Sequence, residues 1–239
     1  MSRIEYLRKP RLKSPYLIAG LPGIANVGKL AVEFLLRQLR ARKFIELQSE
    51  YLPEWAIPEY GGIRPLKLEF YYAKPADLNR HLILLSADAQ AASPEGQYIL
   101  TGEILDIVQE FGVSLVGTMA AYVLAPDETR KKPVVGVATS KSLAKKLEQS
   151  GVELLNGGVI VGMNGILPAL ASLRGIDGFC LLGTTGGGIL DPPASANVLN
   201  ALSNLLGITI NTTELLEESP ESLQFFSESA SEERPTYIG

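Results

Sequence analysis

The stretch Gly23-Ile-Ala-Asn-Val-Gly28-Lys29 has the G-x-x-x-x-G-K spacing of a phosphate-binding loop. It follows a short apolar run and opens a helical pattern, as such a loop must. The next position breaks the match. A phosphate loop needs a Ser or Thr hydroxyl after the lysine to hold magnesium, and Leu30 has no oxygen to offer. No later apolar run ends in a clear magnesium-binding Asp. The glycines then read as a tight strand-to-helix turn, with Lys29 on the exposed first turn. A helix N-terminus still attracts anions, so weak phosphate or carboxylate binding around Gly20, Gly23, Asn26 and Gly28 stays open.

Two further glycine clusters follow. One is Asn156-Gly157-Gly158 with Gly162-Met163-Asn164-Gly165; the other is Gly183-Thr184-Thr185-Gly186-Gly187-Gly188. In open α/β sheets the loops leaving the carboxyl ends of strands gather around one crevice, so loops after strands near 20, 161 and 182 can converge. One reading is a small-molecule pocket with Thr184 and Thr185 as polar contacts. The other is steric: glycine lets helices pack close to a sheet.

Nucleophilic catalysis has little support. There is no G-x-S-x-G elbow, and any Ser/His/Asp set would have to use the single histidine, His81, which opens an apolar strand. The single cysteine, Cys180, lies inside Phe179-Cys-Leu-Leu182 and reads as a small buried hydrophobe. Asp88, Glu95, Asp127 and Glu128 sit near strand ends and loops as general acid–base candidates only. With one cysteine and one histidine, a thiolate zinc site and histidine-rich metal chemistry are excluded. No catalytic residue, cofactor or metal is expected.

These residues need elements to place them. Apolar strands are predicted at 15–20, 43–50, 63–73, 81–86, 113–119, 134–139, 158–161 and 178–182. Helices are predicted at about 26–40, 95–111, 142–149, 165–173 and 193–206, the first with Asn26 as its N-cap. Residues 51–62, with Pro53, Trp55, Pro58 and a glycine pair, read as a loop. Strands alternating with helices predict an α/β domain, and the missing helix between 43 and 86 predicts an antiparallel portion in a mixed sheet. Residues 1–216 read as a single α/β domain and 217–239 as an acidic, flexible tail.

The chain has 239 residues and a formal charge of −4. Residues 214–239 hold seven glutamates and one arginine, leaving a body with 21 basic and 19 acidic residues. Short basic clusters such as Arg130-Lys131-Lys132 lack interleaved aromatics, so nucleic acid is not an expected partner. Leu154 to Leu173 is 20 residues without a formal charge, the length of a membrane span, but two asparagines and four glycines mark it as a buried loop, strand and helix start. The basic N-terminus has no apolar stretch of signal-peptide length, which favours the cytoplasm.

The stretch Gly20-Leu-Pro-Gly-Ile-Ala-Asn-Val-Gly-Lys29 resembles the N-terminal signature of the proteasome assembly chaperone family, of the chaperone-two kind. Gly157-Gly-Val-Ile-Val-Gly-Met-Asn-Gly-Ile166 resembles the middle signature of its archaeal and bacterial members. Cys180-Leu-Leu-Gly, followed by Asp191-Pro-Pro-Ala-Ser-Ala196, has a matching place. The likeness covers about residues 14–216. It implies a three-layer α/β/α sandwich, phosphorylase/hydrolase-like, without established catalysis. It also implies binding of proteasome α-subunits and self-assembly into a homo-oligomer. The chain departs from the pattern at Thr184-Thr185, where members often carry an acidic residue. Its terminus, Thr236-Tyr237-Ile238-Gly239, sets the tyrosine third from the end, where proteasome-docking tails have it penultimate.

The leading expectation is therefore a non-enzymatic protein-binding protein. Phe225, Phe226, Tyr237 and Ile238 on the acidic tail are candidate partner contacts, as a tethered segment that folds on contact. The alternatives are a phosphate- or nucleoside-binding enzyme of the phosphorylase/hydrolase-like fold, using the Gly20–Gly28 and Gly183–Gly188 loops, and a purely structural self-assembling protein.

Overall fold

The structure, a computed structural model, describes residues 2–125, 129 and 131–217. A nine-stranded mixed sheet forms its middle layer. Four strands run parallel at the centre: β2 (Tyr16–Gly20), β7 (Leu82–Ala87), β8 (Leu115–Val123) and β11 (Asp177–Thr185). β6 (Leu68–Ala73), β3 (Arg42–Gln48) and β1 (Arg3–Tyr6) extend one side, each antiparallel to its neighbour. On the other side β9 (Val134–Ala138) lies antiparallel to β11, and β10 (Glu153–Leu154) follows parallel to β9. The spatial order is β1-β3-β6-β7-β2-β8-β11-β9-β10. The antiparallel half follows from the chain: no helix connects β3, β6 and β7, and connections without a crossover can join only antiparallel neighbours.

Helices cover both faces, giving the α/β/α sandwich. On one face α1 (Val27–Gln38), α3 (Lys141–Gln149), α5 (Pro192–Leu206) and α6 (Thr213–Glu217) bury Leu30, Phe34, Leu147, Leu199 and Leu215 against Ile18, Leu84 and Leu181. On the other, α2 (Pro94–Glu110) and α4 (Met163–Leu173) bury Leu100, Ile104, Leu105 and Leu167 against Leu17, Phe70 and Leu85. β2, β7 and β8 are apolar along most of their length because both of their faces are covered.

Three elements differ from the sequence reading. β1 is an edge strand whose charged, exposed residues mask the period-two signal. The loop at 51–62 contains the start of a separate hairpin, β4 (Ala56–Glu59) with β5 (Gly62–Pro65), turning at Tyr60 and Gly61, both at positive φ. The predicted strand at 158–161 joins no ladder. The edge of β9 is taken by Glu153–Leu154, and the later apolar run is irregular, with Gly158 and Gly162 at positive φ, while Leu155 and Ile160 pack against Val135, Cys180 and Leu182.

Candidate functional site

The first glycine motif hands the chain from β2 to α1 through a short 3-10 turn, Ile24–Asn26. Its tightness is set by contact distance. A Cβ on Gly20 would lie 2.0 Å from the carbonyl oxygen of Gly28, and one on Gly28 would lie 2.0 Å from that of Met119 in β8. The first turn of α1 therefore rests on main chain, which only glycine allows. Gly23 is different: a Cβ there meets nothing nearer than Gln90 Nε2 at 3.8 Å.

Two expectations for this loop are corrected. Asn26 sits at the N-cap of α1 but in the left-handed region (φ 48°), and its side chain caps nothing. Its Oδ1 is buried with no hydrogen-bond partner among the described residues. Lys29 is buried rather than exposed, because α1 enters its helix already pressed onto the sheet. Its Nζ lies 3.8 Å from Glu33 Oε1, which also accepts a hydrogen bond from the Ser86 hydroxyl at 3.0 Å. Burial pushes the Glu33 carboxyl up, against the opposing pull of Lys29 and Ser86.

Side chains from three other segments hold the loop. The Asn164 amide, in the first turn of α4, accepts from the Leu21 N–H and donates to the Leu21 carbonyl, both at 3.2 Å. Gln90, after β7, donates to the Pro22 carbonyl and accepts from the Met163 N–H, both at 2.6 Å. The Asp191 N–H donates to the Ala25 carbonyl at 3.1 Å, and the Ser195 hydroxyl to the Val27 carbonyl at 3.1 Å. Pro168 has no N–H for the Asn164 carbonyl four residues earlier; the Thr118 hydroxyl donates to that carbonyl instead, at 2.6 Å.

The loops leaving β2 and β11 and the one entering α4 thus meet at the carboxyl end of the parallel strands. Thr184 and Thr185 stand on β11 at this end, both buried. Thr184 donates to the Lys132 carbonyl at 2.7 Å. Thr185 donates to Asp191 Oδ2 at 2.6 Å and accepts from the Gly187 N–H. Asp191 Oδ1 accepts from the Ala194 N–H and so caps α5, with Pro192 at its first position. Sequence reasoning left Asn164, Gln90 and Asp191 without a role. Asp191 had a legible signal, an acidic residue before a proline pair; Gln90 had none.

The remaining candidates lie apart. His81 accepts the Lys13 N–H at Nδ1. Cys180 is fully buried, which pushes its thiol up to about 12. Asp88 binds Arg64 in a two-pronged ion pair and accepts the Lys67 N–H, and Glu95 is exposed in the first turn of α2. Asp127, Glu128, Arg130, Phe225, Phe226, Tyr237 and Ile238 lie outside the described residues.

A second polar group sits on the α1 side of the antiparallel strands, where no helix among the described residues covers β3 and β6. Lys43 and Lys67 bridge Glu46 and Glu69 at 2.6–2.8 Å, and Tyr71 donates to Glu69. Burial alone would raise the Glu69 carboxyl; hydrogen bonds from Lys43, Lys67 and Tyr71 outweigh it and bring it down to about 2. An open cavity of about 450 Å³ adjoins this network, lined by Leu36, Arg37, Arg40 and Tyr71. A second, of about 320 Å³, lies between Gln48, Leu52, Trp55 and Leu66. Neither is lined by the glycine loops.

The PAC2 family model matches residues 17–226, a span that takes in all three glycine clusters. The chain belongs to the PAC2 family. Among solved structures it is similar to Pyrococcus furiosus PbaB, an archaeal proteasome activator, at 33% identity and a TM-score of 0.82, over 95% of this chain and 98% of that one. Pyrococcus furiosus PbaA, an archaeal homolog of proteasome-assembly chaperone, superposes with a TM-score of 0.78 at 28% identity, over 96% and 97% of the two chains. A Methanocaldococcus jannaschii protein is 37% identical over 216 residues, covering 90% of this chain and 82% of that protein. The PAC2 chain thus resembles proteasome assembly chaperones along nearly its whole length. No helix among its described residues is long and apolar enough to cross a membrane.

Proposed function

We propose that this PAC2 chain is a non-enzymatic, cytoplasmic protein-binding protein that takes proteasome α-subunits as partners and assembles with copies of itself. The observation that carries the reading is the full-length likeness to PbaB. The loop cluster agrees with it. Thr184, Thr185, Asn164, Gln90 and Asp191 spend their polar atoms on main chain and on each other, as a rigid platform requires. On the tail, Phe225, Phe226, Tyr237 and Ile238 supply apolar contacts on an acidic tether. Capture of archaeal-type α-subunits by the purified full chain is the expected result. Failure to bind them, both free and in assembled rings, removes the partner from the proposal.

One observation favours a second reading. Asn26 Oδ1, buried beside the α1 N-terminus without a partner among the described residues, is an acceptor that a small hydroxyl-bearing ligand would satisfy. Calorimetry with phosphate and with nucleosides separates the two. Micromolar binding abolished by Gly23→Val supports the ligand crevice; no heat with either class supports the platform.

A further inference from the structure

Helix α1 ends at Gln38, and Arg37, Arg40, Arg42 and Lys43 fall within seven residues around that end. Arg37, in the last turn, suits the negative end of the helix dipole; the other three lie past the helix. Arg37 and Arg40 are exposed and line the open cavity of about 450 Å³ between α1 and strands β6 and β7. Its apolar lining is Leu36, Ala41 and Tyr71, each partly buried against the core. The two acids in its wall are matched by lysines. Glu33 lies 3.8 Å from Lys29, and Glu69 is bridged by Lys43 and Lys67. The net charge of the lining is therefore that of the two arginines, above an apolar floor.

The described residues end beside this cavity. After α5 the chain comes back to the last turn of α1. There the Asn211 N–H donates to Gln38 Oε1 at 3.2 Å, and the Asn211 carbonyl accepts from Gln38 Nε2 at 2.6 Å. Leu215, in α6, is buried in the same core as Phe34 and Leu35. The short helix α6 follows Asn211 almost at once, so Glu217 lies within about 15 Å of that contact. The sequence beyond has the opposite character to the cavity rim. Residues 217–233 hold six glutamates and no lysine or arginine, with Leu223, Phe225 and Phe226 as their large apolar side chains. Eight residues of extended chain span about 26 Å, enough to carry Phe225 from Glu217 to the cavity with α6 in place.

We propose that this cavity is the docking site of the chain's own acidic segment, with Glu218 and Glu221 set against Arg37 and Arg40, and Phe225 and Phe226 against Leu36, Ala41 and Tyr71. Reach, opposite charge and the aromatic pair select this occupant. Its tether adds to them, because a linked segment meets the site at about millimolar effective concentration and weak contacts suffice. The docking goes beyond the function proposed above and stands without it. A partner that takes Phe225 and Phe226 competes with the cavity for them.

The test is chymotrypsin cleavage after Phe225 and Phe226 in the full chain, followed by mass spectrometry at low salt. Arg37→Glu with Arg40→Glu is expected to speed cleavage at least about fivefold. Both side chains are exposed, so thermal melting of this variant stays as in the wild type. Adding Glu218→Lys and Glu221→Lys to it restores the slow cleavage. Lys145→Glu, on exposed α3 surface of the same layer, leaves the rate as it was. A second measurement needs no charge reversal. Ala41→Cys with Ser227→Cys is expected to oxidise to a disulfide within one chain, while Cys180 stays buried and apart. Cleavage indifferent to the arginine reversal, a charge swap that fails to restore protection, or faster cleavage in Lys145→Glu overturns the proposal. So does a disulfide that forms only between chains. Neither assay reads α-subunit capture, so such a failure leaves the protein-binding function standing.

Discussion

The glycine-loop junction and the lysine–glutamate network both look like sites, and they are built on opposite terms. At the junction the polar groups are buried or half-buried and bind mostly main chain: buried Asn164 grips Leu21, half-buried Gln90 spans Pro22 and Met163, and half-buried Asp191 joins Thr185 to the start of α5. In the network, Lys43, Glu46, Lys67 and Glu69 bind one another on a half-open sheet face. A buried group that loses its partner keeps the full penalty of desolvation, whereas a partly exposed charge regains water. The motif that resembles a phosphate loop is therefore where substitution should hurt folding most. The cluster with the displaced carboxyl is where it should hurt least. A perturbed pKa marks a site only when geometry agrees.

Gly28→Ala should have the largest effect. Its methyl would lie 2.0 Å from the Met119 carbonyl, and neither backbone can yield cheaply. A loss of about 3 kcal/mol or more is expected, lowering the melting midpoint by about 6–12 °C. Gly23→Ala, with 3.8 Å to spare, should stay within about 0.5 kcal/mol. Equal losses at the two glycines would break the contrast within the junction itself.

Asn164→Ala comes next, since it strands both polar groups of Leu21 in the interior. About 2–3 kcal/mol is expected by denaturant titration with the slope unchanged. Asp191→Ala removes the α5 cap and the acceptor of Thr185, at about 1–2 kcal/mol; Asp191→Asn should recover part of it.

Of the polar substitutions Glu69→Gln should cost the least at neutral pH, about 1 kcal/mol, and salt should shrink the difference. Its signature is in acid. The folded carboxyl lies at about 2, below the unfolded value of roughly 4.3. Its contribution is therefore complete above about pH 4.5 and lost as pH falls toward 2. Wild-type stability should decline across that window more steeply than that of Glu69→Gln. Parallel acid profiles would show that the network adds nothing the strands do not already supply.

Much of this arrangement was legible in the residues. The apolar runs at 15–20, 81–86 and 178–182 announced doubly covered strands, and the breaker-flanked helices fell close to where they were read. The glycine loops do gather at one edge of the sheet. What misled was local character read without its neighbours. Asn26 has the side chain of a cap, yet its backbone is left-handed. Lys29 is charged and near a helix start, yet glycine on either side of the turn draws that start down onto the sheet. The run from Gly157 to Gly162 has the composition of a buried strand, but the ladder position beside β9 was already filled by Glu153 and Leu154.

The sequence alone determined the alternation of strands and helices, the glycines at the tight turns and the scarcity of nucleophiles, because these depend on residue type and short-range spacing. The tertiary structure alone decided that Asn164, Gln90 and Asp191 converge on one loop, Asn164 from 143 residues away and Asp191 from farther still. Hydrogen bonds and layer coverage between distant segments depend on packing, and no local periodicity encodes which main-chain group a side chain will find.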